Sequence, residues 1–388
     1  MNINKKKICF VTTVSATLKA FVLKTAEYLH ENTDWDISFI CNDDDGFADS
    51  LPKYIHFHPV RMQRGISLSG ITATLEMGKI FEREKFDLIQ YSTPNASLYA
   101  AMASYLTRCP VRLYCQWGIV YVGFSGVKRK VFKAIEKMIC SLSTWIEPDS
   151  YSNLAFAHKE GLYPGNKGSV IWNGSACGVD LEKFDIGKKS AWRTVIREKY
   201  HIPENAFVYG FVGRITRDKG INELLAAYRE LSKESDVHLL IAGPSEIEDS
   251  RVDSDLYDWA QNCRNVIFTG YTSNVEKILS AMDVYVLPSY REGFGMGVVE
   301  AEAMGVPVIV TDIPGPTDAI INEKTGVIVH KADVDSLLEK MKMMYEDRET
   351  LQTYGKKGIE FVTASFEQKV FLTKLLEDRV RLLKEVRP

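Results

Sequence analysis

A chain of 388 residues is longer than one ordinary core needs, and its 45% hydrophobic and 26% charged content is that of a two-domain globular protein. The formal net charge of −3 argues against a dedicated nucleic-acid binder, which carries a basic excess. Seven cysteines, odd in number and without a C-x-x-C pair, fit reduced thiols in a cytoplasm and suggest no zinc site.

The basic start, Lys5 to Lys7, runs directly into a short strand and lacks the apolar core of a signal peptide. No stretch approaches the ~18 apolar residues of a membrane span, so the expectation is a protein that does not cross the membrane. An apolar strand over 8–13, a helix over 17–29 and an apolar run over 35–41 give a β-α-β start. The alternation continues with a strand at 87–91, a helix over 96–106, a strand over 111–115, a helix over 128–139 and a strand at 144–148. This rhythm predicts parallel crossovers in a doubly wound α/β sheet. It breaks at 173–188, a turn-rich linker. A second set follows: a helix over 191–200, strands at 207–212, 237–242 and 265–268 with a helix over 221–231, then a helix over 273–281. The predicted division is 1–172, the linker 173–188, a second domain over 189–366, and a helix over 367–388 that crosses back to the first domain.

The run from Asp283 to Gly305 carries most of the chemistry. It reads as a buried strand over 284–287, a polar glycine-rich turn over 289–297 and a small-residue helix over 298–304. In an open α/β sheet such a turn lies at the carboxyl end of a strand, where ligands bind. Gly293, Gly295 and Gly297 leave amides uncovered where the helix begins, and its dipole favours phosphate. Glu292 and Glu300 flank the turn with seven residues between them, and carboxylates accept paired hydrogen bonds from hydroxyls. Alone, acids at a helix start merely complement its dipole. The segment 210–220 likewise ends a strand and opens a helix. There Arg214 and Lys219 would neutralise a diphosphate and stabilise it as a leaving group; the plain alternative is a solvated loop.

Together, Gly213-Arg-Ile-Thr-Arg-Asp-Lys-Gly220, Arg291-Glu-Gly-Phe-Gly-Met-Gly-Val-Val-Glu300 and Pro307-Val-Ile-Val-Thr-Asp312, with Asn173-Gly174 and Gly178-Val-Asp180 at the linker, resemble family 4 of the retaining glycosyltransferases. The resemblance covers most of the C-terminal half; the N-terminal half matches only in its β-α rhythm. It implies the GT-B fold, two Rossmann-like domains facing across a cleft, with the acceptor on the N-terminal side and the nucleotide sugar on the C-terminal side. It implies that Arg214 and Lys219, with Gly213 beside them, bind the donor diphosphate. Glu292 and the backbone of Gly293, Phe294, Gly295 and Met296 would hold the donor sugar and its phosphate, and Glu300 the ribose. Ser15 and Trp117 would be substrate contacts from the N-terminal half. The implied reaction takes a sugar from a nucleotide donor, a UDP-sugar by expectation, to a glycan on a polyprenyl diphosphate or a surface polysaccharide. It retains the anomeric configuration and needs no metal or other cofactor.

Two departures stand out. Many relatives have a glycine-rich loop after the first strand and a histidine before a glycine in the N-terminal domain. Here residues 12–17 contain no glycine, and the second site reads Gln116-Trp-Gly118, with Trp117 at the histidine position. The acidic run Asp43-Asp-Asp45 follows a strand without supporting ligands and reads as a loop, not a metal site. The seven histidines show no metal spacing. The helix at 127–139 places apolar residues at 127, 131, 132, 135, 138 and 139 among bases at 128, 129, 130, 133 and 137. It either packs that stripe on the sheet or lies on an anionic membrane, the inner face of the cell membrane by expectation. A nicotinamide-dependent oxidoreductase would need a G-x-G-x-x-G turn after the first strand, and residues 10–20 contain no glycine. A catalytically silent glycan- or nucleotide-binding module of the same fold is the third reading.

Overall fold

Each half of the chain is organised on its own six-stranded parallel sheet, as the alternation of short apolar runs and helices requires. The computed structural model describes residues 5–44, 46–63, 65, 69–246 and 251–385. One unit takes the chain up to Cys177 and again from Lys369; the other is Gly178–Gln368.

In the first unit β1 (Lys7–Val11) leads into α1 (Ser15–Thr17), a π-helical segment (Leu18–Val22) and α2 (Leu23–Asn32). Then come β2 (Asp36–Cys41), β3 (Ile55–Pro59), α3 (Ser69–Glu84), β4 (Leu88–Tyr91), α4 (Pro94–Leu106), β5 (Val111–Gln116), α5 (Gly126–Leu142), β6 (Trp145–Pro148) and α6 (Tyr151–Lys159). The order is β3-β2-β1-β4-β5-β6, every pair parallel. Helices on both faces explain why the strands are apolar runs and not alternating ones. β3, α3 and α6 were not anticipated from the sequence.

The second unit contains α7 (Lys189–Lys199), β7 (Phe207–Val212), α8 (Ile221–Leu231), β8 (Val237–Ala242), α9 (Ser254–Asn262), β9 (Val266–Gly270) and α10 (Val275–Ser280). It continues with β10 (Val284–Leu287), α11 (Met296–Ala303), β11 (Val308–Thr311), β12 (Gly326–Val329), α12 (Val334–Glu346) and α13 (Arg348–Ser365). The order β12-β11-β10-β7-β8-β9 puts β7 beside β10, where the direction of winding reverses. The turns that leave these two strands therefore lie side by side at the carboxyl edge, the switch point where doubly wound sheets bind ligands. The start of β10 is fixed by Asp283, whose carboxylate accepts from Arg193 (2.8 Å), from the buried Arg197 (3.0 Å) and from the Val208 amide (2.8 Å).

The chain closes with α14 (Gln368–Glu385), which returns to the first unit. Its Arg379 is 1% exposed and donates to Glu147 of β6 at 2.5 and 2.8 Å and to Gln90 of β4 at 3.0 Å. Between those strands, Cys115 of β5 donates its thiol to the same Glu147 carboxylate at 3.4 Å. A single guanidinium thus ties β4 and β6 to the last helix, and the buried charge is paired and hydrogen-bonded, as burial demands.

Helix α5 does not bury the whole stripe read from the sequence. Its core-facing residues are Glu136, Ile139 and Cys140, with Phe132 and Ile135 packed alongside, while Val127 is 78% and Val131 49% exposed. Glu136 turns inward because it has partners there: the Tyr114 hydroxyl (3.0 Å) and the Gln116 amide (2.5 Å) both donate to it. Burial raises its pKa, and the hydrogen bonds from Gln116 and Tyr114 oppose the rise.

Candidate active site

The β10–α11 turn and the β7–α8 turn meet at the switch point. Lys219 donates to Oε1 of Glu292 at 2.5 Å, and the Ser289 hydroxyl donates to the same oxygen at 2.7 Å. Both partners of the ion pair are largely shielded, with side chains 22% and 12% exposed. Ser289 is held in turn by Thr311 at the end of β11, which donates to its carbonyl at 2.6 Å. A cation and an acid are thereby set against the start of α11, where the helix dipole adds positive potential.

Gly295 caps that helix with φ 93°, a left-handed conformation that a side chain would strain. Phe294 points inward: it is 1% exposed and packs edge-on against Phe366, ring centroids 5.2 Å apart. Met296, the first helical residue, is half-buried against the same core. Gly293 offers its carbonyl to the segment carrying Gly315, where a Cβ would stand only 2.4 Å from that oxygen. Gly297 has a role that the spacing alone did not reveal. A Cβ there would lie 2.4 Å from the Tyr285 hydroxyl, which sits under the first turn and donates to the Val212 carbonyl at 3.3 Å. Burial, then the charges of Glu292 and Glu300, hold the Tyr285 phenol well above its ordinary pKa, so it remains a neutral donor beneath the turn.

Glu300 lies further along α11. Desolvation pushes its pKa up to about 7; Lys183 opposes the shift and Glu276 adds to it. Lys183 and the buried Glu276 are 3.9 Å apart and belong to this part of the site, though nothing in their spacing had marked them. Gly213 continues past β7, its amide donating to Ala242 at 2.9 Å. Arg214 next to it is 46% exposed and pairs with Glu246 at 2.8 Å, so the two predicted cations end on different carboxylates.

Residues 193–361 match the family of glycosyl transferases group 1, and residues 7–147 match the glycosyl transferase 4-like family. Anabaena HepE, solved in complex with UDP and glucose, superposes with a TM-score of 0.78 over 97% of this chain and 99% of that one, at 18% identity. The capsular polysaccharide biosynthesis glycosyltransferase CapM of Staphylococcus aureus is 34% identical over 331 residues, 84% of this chain and 86% of that protein. This chain belongs to the GT-B glycosyltransferases. The UDP-Gal:alpha-D-GlcNAc-diphosphoundecaprenol alpha-1,3-galactosyltransferase of Escherichia coli is a further relative, 26% identical over 332 residues and 82% of each chain.

The first unit has its own carboxyl edge, where the remaining predicted residues of this glycosyltransferase lie. Ser15 is buried after β1, and its amide and hydroxyl both point to Asp44 at 3.3 and 3.4 Å. Asp43 accepts from the Ala48 amide at 3.4 Å, and Asp45 lies outside the described residues. Trp117 follows β5 and rests its ring on Phe21 of the π-helical segment, centroids 5.5 Å apart. Thr93, at φ 68°, exchanges a hydroxyl hydrogen bond with Thr13 at 2.9 Å and accepts the Thr13 amide at 3.0 Å. Backbone strain of this kind collects at functional edges, and no sequence pattern signals it. Among the described residues no group of three or more His, Cys, Asp or Glu side chains could hold a metal, and no helix is long and apolar enough to cross a membrane.

Proposed function

We propose that this glycosyltransferase transfers a hexosyl or N-acetylhexosaminyl group from a UDP-sugar, with retention and without a metal, to a lipid-linked or surface-polysaccharide glycan. The observation that carries the reading is the Lys219–Glu292 pair seated at the start of α11. Lys219, the helix dipole and Arg214 supply the positive charge that a divalent cation would otherwise bring to a departing diphosphate. Glu292 holds hydroxyls of the donor sugar and Glu300 those of the ribose. The UDP donor and the diphosphoundecaprenol acceptor are carried over from the named relative.

The chemistry is a front-face substitution. The acceptor oxygen bonds to the anomeric carbon as the bond to the β-phosphate oxygen breaks, and the acceptor proton passes to that phosphate oxygen. The nucleoside diphosphate leaves, and positioning with charge stabilisation supplies most of the acceleration. A panel of nucleotide sugars, scored by thermal stabilisation and slow donor hydrolysis, tests the donor. NMR of the product's anomeric proton tests retention, and a sugar trapped covalently on a side chain would overturn the front-face route.

The same reading places the enzyme on the cytoplasmic face of a membrane through the start of α5. Val127 and Val131 project there beside Lys128 and Lys130, whereas Arg129 and Lys133 are occupied by Glu160 at 3.9 and 2.7 Å. Apolar side chains ringed by cations suit an anionic lipid surface. Flotation with vesicles of mixed neutral and anionic lipid is expected to recover the wild type and to lose the Val127→Ser/Val131→Ser/Lys128→Gln/Lys130→Gln variant. Equal recovery removes the membrane role.

A further inference from the structure

The Lys219–Glu292 pair has a second ion pair directly beside it. Arg291 donates through Nε and Nη2 to one carboxylate oxygen of Asp218, at 2.9 and 2.8 Å. Residues 218 and 219 of one turn thus face 291 and 292 of the other as two successive rungs. Around them the turns are fastened further: the Tyr290 amide donates to the Asp218 carbonyl at 2.8 Å, and the Tyr290 hydroxyl to Glu223 on α8 at 2.6 Å. Gly220, at φ 74°, lets the β7–α8 turn press so close that a Cβ would stand 2.0 Å from the Pro288 carbonyl oxygen.

The two rungs differ in environment. The Arg291 and Asp218 side chains are 31% and 44% exposed, against 22% and 12% for Lys219 and Glu292. An ion pair that exposed contributes little to folding stability. A fork of two N–H groups on a carboxylate does, however, fix direction and spacing, which a single lysine contact cannot. When a donor enters, its diphosphate competes with Glu292 for the three N–H groups of the Lys219 ammonium, and the inner rung loosens. The outer rung is the side-chain contact that can keep residues 218 and 291 at fixed spacing meanwhile, alongside the Tyr290 contacts.

We infer that Asp218 and Arg291 are positioning residues: their outer rung holds the β7–α8 and β10–α11 turns in register while the Lys219–Glu292 rung opens to admit the donor. This inference rests on the nucleotide-sugar reading of the site. Neither residue touches the reacting atoms; each acts through its sequence neighbour.

Steady-state kinetics with the accepted nucleotide sugar, on the full chain, compares wild type with Arg291→Ala, Arg291→Lys, Lys219→Ala and the Lys219→Ala/Arg291→Ala double variant. Arg291→Ala is expected to lower kcat/KM about 10- to 100-fold, mainly through kcat, with melting shifted by no more than about 3 °C. Arg291→Lys restores part of the loss. In the Lys219→Ala background, removing Arg291 costs less than about threefold more, because two residues acting through one group are not additive. Full multiplication of the two losses, or an Arg291→Ala enzyme with wild-type kcat/KM, overturns the inference. Amide hydrogen exchange without any donor keeps the outcomes separate: Arg291→Ala is expected to speed exchange about tenfold in the 213–220 and 289–296 segments and nowhere else. A wild type that takes no nucleotide sugar defeats the functional reading while exchange still judges the clamp. Unchanged exchange defeats the clamp while the functional reading stands.

Discussion

Lys219 and Glu292 neutralise each other at 2.5 Å, although they come from turns 73 residues apart in sequence. On the proposed reading, this cation beside the helix start is the one a donor diphosphate would draw on. Lys219→Ala is therefore expected to weaken UDP binding about tenfold and to lower kcat/KM about 100-fold or more. Glu292→Gln should lower kcat about 100-fold while UDP affinity changes less than about threefold, since the proposed role of the acid is on the donor sugar and not the nucleotide. Calorimetry with UDP and initial-rate kinetics check both.

On its proposed ribose-binding role, Glu300 is expected to make donor binding depend on pH. With its pKa at about 7, the carboxyl is half protonated near neutrality, and ionised it is the better acceptor for ribose hydroxyls. UDP affinity is expected to rise as pH increases from 6 to 8, and Glu300→Gln should flatten that rise. Isothermal titration at three pH values measures it.

The same group works against the fold at high pH. Its folded pKa lies above the unfolded value of 4.5, so the native state holds the proton longer and stability falls as pH rises from 4.5 to 7. Glu300→Gln is expected to stabilise the protein at pH 8 by on the order of 3 kcal/mol at most, and to leave it unchanged near pH 4.5. Urea melts at the two pH values report the difference. A variant that binds UDP less well and melts later is the signature of a residue kept for function.

Gly297→Ala forces a methyl against the Tyr285 hydroxyl and should cost about 1–3 kcal/mol. Adding Tyr285→Phe removes the clashing oxygen and is expected to return part of that loss. A double-mutant cycle by chemical denaturation isolates the coupling.

Removing the Arg379 side chain leaves Glu147 charged and buried without its partner. Arg379→Ala is expected to destabilise the first unit by about 3–5 kcal/mol, whereas Glu147→Gln, which keeps polar atoms for the guanidinium, costs less. Thermal scans in a Trp192→Phe/Trp259→Phe background, whose remaining tryptophans all lie in that unit, follow it by fluorescence.

Most of the strand and helix rhythm was legible because buried parallel strands are continuous apolar runs. β3 is faint in the sequence because Ile55–Pro59 carries two histidines and a proline, and α3 because Thr and Gly dilute its apolar face. The site's acids and cations could be named from the turn motifs, but not their partners. Glu246 beside Arg214, Asp218 beside Arg291, and Lys183 with Glu276 near Glu300 meet only through tertiary packing. No local period records that. The offset of α5 has a similar origin: Glu136 is drawn inward by Tyr114 and Gln116, donors that lie on another element.

The return of α14 makes the first unit discontinuous in sequence, while Gly178–Gln368 is one unbroken segment. During synthesis the second unit can close as soon as its own residues emerge, but the carboxylate of Glu147 waits more than two hundred residues for Arg379. The half of the molecule made first is therefore the half completed last. Until then its sheet has all six strands but lacks the last helix, whose Phe371, Leu372 and Leu375 belong to its core, so changes near the carboxyl terminus will be felt first in the amino-terminal domain.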